Sequence, residues 1–194
     1  MTAPHNFFAL ISRMRYIGRW GLMRNTFQEN IQEHSHMVAV LAHALAVIRR
    51  DIFGGDLDPG HAAALALYHD APVILTGDLP TPGKYYNPEI REAYREVETV
   101  SARRLLSMLP EALRPAYEPL LLEDPESEYH TLVKAADKLS AYIKCVEELK
   151  TGNTEFRQAA EQTHRALEDS PLPEVAYFLE HFLPGFSLTL DELQ

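Results

Sequence analysis

Apolar positions along the chain recur every three and four residues, the helical period, and no segment alternates as a strand would. The spacing predicts helices near residues 5–15, 33–51, 60–71, 88–108, 128–150, 154–167 and 173–181. Glycine and proline mark the breaks, at Gly54-Gly55, Pro59-Gly60, Gly77 to Gly83, Pro115 to Pro125, Gly152 and Pro171 to Pro173. Asp58 before Pro59 reads as a helix start, and Gly152 after Glu147–Lys150 as a helix end. No repeat or low-complexity tract interrupts this order. The expected fold class is all-α, one compact helical bundle.

Helical phase then sorts the candidate chemistry. Nine histidines stand in 194 residues, so each needs a place. On the helix from Glu33 the inward stripe is Met37, Leu41, Ala44, Leu45 and Ile48, and three residues before Met37 lies His34. His36 and His43 fall roughly 160–180° from His34 at about 100° per residue, on the solvent side. Alone, His34 reads as readily as a hydrogen-bonded core histidine. His69 and Asp70 end the apolar run Ala62 to Tyr68, which delivers an imidazole and a carboxylate together. A buried carboxylate costs several kcal/mol unless it is paired or metal-bound. The plainer alternative is a His–Asp pair at a helix end. Asp137 borders the stripe Leu132, Ala136, Leu139 and Ile143; Lys134 or Lys138 could give it an ordinary salt bridge.

Taken together, two imidazoles and two carboxylates come from three helices, each near an inward face. That mixed N/O set suits one divalent transition metal, Co²⁺, Mn²⁺, Fe²⁺ or Zn²⁺, better than Ca²⁺. Four protein ligands leave positions for water and a phosphate oxygen, the arrangement for metal-assisted phosphate hydrolysis.

Charge narrows the partners. The formal net charge of −10 argues against a nucleic-acid polymer, which needs clustered Lys and Arg, but allows a small phosphate ester. With one cysteine, Cys145, neither a disulfide framework nor a cysteine zinc site can form. Met1 to Phe8 lacks the order of a signal peptide, and the apolar stretches Val38–Ile48 and Ala62–Tyr68 are too short to span a bilayer. A soluble, cytoplasmic protein without a membrane partner is expected.

The residues also carry a family likeness. Arg19-Trp20, Asn30-Ile31-Gln32-Glu33-His34-Ser35, His69-Asp70, Thr76-Gly77-Asp78-Leu79-Pro80-Thr81-Pro82 and Lys134-Ala135-Ala136-Asp137 together resemble the bacterial HD-domain 5′-deoxynucleotidases. The likeness runs from Phe7 to Asp191, and the Thr76–Pro82 loop is its most specific part. It implies an HD-type bundle over residues 1–194 as a single domain. It also implies removal of the 5′-phosphate from deoxyribonucleoside monophosphates, one divalent metal (often cobalt) and a homodimer. By this resemblance His34, His69, Asp70 and Asp137 hold the metal, and His34, Asp70 and Asp137 also border the substrate. Arg19 would orient the phosphate with its donor fork. Trp20 would pack on the sugar and disfavour a ribose 2′-hydroxyl, while Asp78, Leu79, Pro80 and Thr81 would line the sugar end. The plainer readings are a surface cation beside an anchoring aromatic, and an ordinary proline turn.

One position departs from the family. A glutamate that assists catalysis usually stands four residues after the motif histidine; here Val73 stands there, after Pro72. Valine neither accepts a proton nor orients water. Three expectations follow. The metal site suffices, with Asp78 or a phosphate oxygen relaying the proton. Or Glu33, beside His34, turns inward and takes over as the catalytic carboxylate. Or turnover is weakened and nucleotide binding remains. A related activity on di- or triphosphates, or on a modified nucleotide, is the other alternative.

Overall fold

The computed structural model describes residues 5–79 and 87–194. Among them the chain is helical, with no strand and one isolated antiparallel bridge, Gly18 to Asn30. The order begins with α1 (Phe7–Ile11), which tightens into a 3₁₀ turn over Ser12–Tyr16 rather than continuing as one helix. After an irregular segment come α2 (Ile31–Phe53), α3 (Pro59–Tyr68) and the single turn α4 (Val73–Thr76). Then follow α5 (Pro88–Ser107), α6 (Arg114–Leu121), α7 (Glu128–Lys150), α8 (Arg157–Glu168) and α9 (Pro173–His181).

Local chemistry sets the ends. Asn30 caps α2 by accepting from Gln32 N and Glu33 N, and Glu33 answers by accepting from Asn30 N. Gly54, at φ 73°, closes α2 in the left-handed conformation that glycine adopts without Cβ strain. Asp58 accepts from Gly60 N ahead of Pro59, and Ser127 accepts from Tyr129 N to start α7.

The α6 helix was not expected, because Pro115 and Pro119 fall inside it. Pro115 sits in the first turn, where its missing N–H is not needed; Pro119 forfeits one bond of a short helix. The breaks read from the prolines therefore mark a helix here.

The core lies between α2, α3 and α7, with α8 and α9 closing it. Leu41, Leu45 and Ile48 of α2 meet Leu65 of α3 and Leu132, Leu139 and Ile143 of α7. Ala42 and Ala46 on α2 and Ala62 and Ala66 on α3, all fully buried, let the two backbones approach closely. A second cluster holds the end of α3: Phe7 rings with Tyr68 and Tyr117, and Ala71 packs in the same cluster as Leu105 and Leu109. His69 and Asp70 lie between these two anchors, so their positions are fixed from both sides. No helix among the described residues is long and apolar enough to cross a membrane.

Candidate metal centre

Three helical elements converge on one point. His34, one turn into α2, is fully buried, as its phase predicted, while His36 and His43 are exposed. His69 and Asp70 follow the last turn of α3, and Asp137 projects from the middle of α7. One ligand atom each from His34, His69 and Asp70 lies within 4.8 Å of the others. Asp137 joins through His34, whose Nε2 is 3.1 Å from Asp137 Oδ1 and 3.7 Å from Asp70 Oδ2. Among the described residues, the ion-pair partner of Asp137 is His34, not Lys134 or Lys138.

The imidazoles are set up as ligands. His69 Nδ1 donates to Ala66 O at 2.7 Å, which leaves the Nε2 lone pair facing the cluster. His34 Nδ1 is 3.2 Å from Ser140 Oγ, again leaving Nε2 inward. Both Nε2 atoms are buried without a hydrogen-bond partner, a costly state for a polar atom unless something else satisfies it. A divalent cation between two such nitrogens and two carboxylates would do so. The donor set fits the transition metal expected from the sequence.

Electrostatics agree. Burial pushes the His69 pKa down, against the opposing pull of Asp70 and Asp137. Burial alone would raise the Asp70 pKa, but His69 and His34 outweigh it and hold the group below the usual carboxylate range. The same contest leaves Asp137 well below that range, with His34 and then His69 prevailing over burial.

Arg19 and Trp20 stand at the rim. Arg19 Nη1 is 3.5 Å from Asp70 Oδ2, and its Nε donates to Glu29 Oε2 at 3.3 Å. Among the described residues Nη2 of the fork has no partner. Trp20 adopts φ 57°, rests on Phe156 at 5.3 Å between ring centroids, and donates from Nε1 to Glu29 Oε2 at 2.9 Å. Glu29 is the residue that sequence reading missed. It precedes α2, where no periodicity reports which way a side chain points.

One expectation needs correction, and two of the expected site residues lie outside the described residues. Glu33 does not turn inward as a catalytic carboxylate; it is exposed and its side chain serves the α2 cap. Val73 does follow within one turn of Asp70, its N–H donating to Asp70 O, but its side chain is buried beside Met14 and Ile31. Asp78 is exposed and Leu79 half-buried, just after the α4 end that Tyr94 anchors through Gly77 O. Pro80 and Thr81 are outside the described residues.

The segment carrying Arg19 and Trp20 is pinned to α7 by a buried charge network. Glu148, fully buried, pairs with Lys144 and accepts from Thr26 N at 2.9 Å and from Asn153 Nδ2 at 2.8 Å. Lys144 Nζ also donates to Phe27 O at 2.7 Å and lies 3.3 Å above the Phe27 ring centroid.

Solved structures place this bundle in a known class. An HD-domain phosphohydrolase from Listeria innocua matches with a TM-score of 0.82 at 26% identity, covering 94% of this chain and 88% of that one. A cyanophage S-2L HD phosphohydrolase, bound to dA and one catalytic Zn²⁺ ion, matches with a TM-score of 0.60 at 25% identity, covering 95% and 98%. The class is the HD-domain phosphohydrolases.

Within it, the chain belongs to the YfbR-like 5′-deoxynucleotidase family, which matches residues 6–186. A 5′-deoxynucleotidase of Vibrio cholerae is 51% identical over 191 residues, covering 97% of each chain. One of Erwinia tasmaniensis is 50% identical over 189 residues, covering 97% of this chain and 96% of that one.

Proposed function

We propose that this protein hydrolyses deoxyribonucleoside 5′-monophosphates to deoxynucleoside and phosphate, with one divalent transition metal held by His34, His69, Asp70 and Asp137. The observation that carries the reading is the pair of buried Nε2 atoms of His34 and His69, neither of them hydrogen-bonded, facing two depressed carboxylates. Membership of the 5′-deoxynucleotidase family supplies the substrate class.

When bound, the ion supplies Lewis acidity toward phosphoryl oxygen and an activated water. The chain does the rest. Arg19, turned by Glu29 and Asp70, presents its remaining guanidinium N–H groups to the phosphate and offsets oxyanion charge. Trp20 offers its ring to the sugar, and Asp78 and Leu79 border the sugar end. No carboxylate stands at Val73, so turnover rests on the metal site and Arg19. Acid–base assistance is worth about 10²–10⁴-fold, which a metal-driven reaction can lose and still proceed. Cobalt, manganese, iron and zinc all suit the donor set. The reading also takes residues 1–194 as one domain, acting in the cytoplasm as a homodimer.

The test is phosphate release from dAMP, AMP and dATP with Co²⁺ or Mn²⁺. Release from dAMP, weak release from AMP and none from dATP supports the reading. Preference for dATP would move the protein to a triphosphate substrate. Release in none by wild type would reduce it to a nucleotide-binding protein.

A further inference from the structure

A single carboxylate ties the two rim residues to the centre. Glu29 Oε2 accepts from both Arg19 Nε, at 3.3 Å, and Trp20 Nε1, at 2.9 Å. Its other oxygen, Oε1, lies 3.8 Å from His34 Nδ1. Consecutive residues of an extended chain point to opposite sides, so Arg19 and Trp20 would not ordinarily share an acceptor. They do so here because Trp20 takes a positive φ of 57°. That backbone state is unfavourable for a bulky L-residue by about 1–3 kcal/mol, and strain of this kind persists where the surroundings impose it. The main chain contributes to holding it: Arg19 N donates to Glu29 O at 2.9 Å, and Ile31 N to Ile17 O at 2.9 Å. Glu29 is thus placed opposite Arg19 by the bridge that precedes α2, with a side chain only 12% exposed.

The consequence is geometric. With Nε committed to Glu29 and Nη1 near Asp70, the guanidinium plane has little freedom left, and the indole is fixed relative to it by the same oxygen. We propose that Glu29 is a positioning residue that locks the phosphate-facing Arg19 and the sugar-facing Trp20 into one register, and so sets selectivity for the deoxy sugar. This rests on the proposed deoxynucleotidase reaction. Glu29 stands off the phosphate, and its contact with His34 is to Nδ1, the nitrogen turned away from the ligand cluster; on the substrate it acts through the two side chains it holds. Pre-organisation of this kind lowers the entropy lost on binding and sharpens discrimination between substrates differing by one hydroxyl.

The experiment compares wild type, Glu29→Gln and Trp20→Phe with Co²⁺, measuring kcat and KM on dAMP and AMP. Trp20 is the one tryptophan of the chain, so intrinsic fluorescence reports its surroundings directly. In Glu29→Gln the expected result is a fall of about 10-fold or more in the dAMP-to-AMP ratio of kcat/KM. It should come with an altered Trp20 emission and a larger change in KM than wild-type scatter. Trp20→Phe keeps a ring but lacks the N–H; its loss in selectivity should overlap that of Glu29→Gln, so the double variant is less than additive. Glu29→Asp, which keeps the charge but falls one methylene short, should sit between. Unchanged selectivity and emission in Glu29→Gln, or fully additive losses in the double variant, would overturn the proposal. If Glu29→Gln fails to fold, Trp20→Phe and Glu29→Asp carry the same comparison. Absence of phosphate release by wild type would refute the deoxynucleotidase reading instead. The Glu29 proposal would then be decided by equilibrium dAMP and AMP binding, with lost dAMP preference in Glu29→Asp expected and retained preference overturning it.

Discussion

His34 Nε2 stands 3.1 Å from Asp137 Oδ1, close enough to pair yet not aligned as a hydrogen bond, and this contact joins α2 to α7 at the metal centre. A nitrogen so placed is shaped for a shared cation rather than for its neighbour. Asp137→Ala should therefore cut metal-dependent phosphate release at least about 100-fold. Metal binding stabilises the fold by about 2.7 kcal/mol when the free ion is 100 times its Kd. A wild-type Tm that rises with Co²⁺, and an Asp137→Ala Tm that does not, is the expected pair of melts; activity surviving both substitution and chelation would contradict the site.

Trp20 allows a cleaner test of backbone strain than of contact. Trp20→Ala and Trp20→Gly both delete the ring and should lose preference for dAMP over AMP. Only glycine also relieves the positive φ. Trp20→Gly should then be more stable than Trp20→Ala by about 1 kcal/mol in urea unfolding, reversing the usual order of the two residues.

Val73 packs with Met14 and Ile31, residues of the 3₁₀ turn and of the first turn of α2. Val73→Glu places a carboxylate among them and should cost about 2 kcal/mol or more. Denaturant unfolding measures this. A variant that keeps wild-type stability and releases phosphate about 10²-fold faster would mean that the new carboxylate reaches the substrate instead.

Glu148 supplies the pH prediction. Burial raises its pKa, but hydrogen bonds from Lys144, Asn153 and Thr26 outweigh that and bring it from 4.5 to about 2. A depressed carboxylate contributes stability above its unfolded pKa and loses it as pH falls through the folded value. Up to about 3 kcal/mol should disappear between pH 4.5 and about 2. Glu148→Gln should flatten that acid limb of the stability curve; an unchanged limb would place the acid sensitivity elsewhere.

Helix phase made the convergence of the His/Asp cluster legible, while its assignment as a metal site came from the family likeness. His34 and Asp137 fall on or beside inward stripes, and the run Ala62 to Tyr68 had to be central, so the residues after it had to be near the core. Helix rules failed where the informative residues are not helical. Glu29 sits before α2, and the role proposed for it depends on a left-handed tryptophan nine residues earlier in the chain, which no periodicity encodes. Glu33 was misread although Asn30-Ile31-Gln32-Glu33 ahead of an apolar run is a capping pattern. The α6 helix was hidden because proline counts against helices in general, while its cost depends on which turn it occupies.

The clamp on the segment before α2 separates two kinds of opening. The ligand-bearing parts of α2, α3 and α7 belong to the frame and can exchange their deep amide hydrogens only when the frame opens. The Arg19 and Ile31 amides are held by the short bridge and, through Thr26 and Phe27, by Glu148 and Lys144. Such a unit opens at a lower free energy than the whole fold. On the roles proposed above, the chain would carry two stabilities, one for holding the ion and one for gripping the nucleotide, and conditions that weaken the second would leave a folded, metal-competent protein that has let go of its substrate.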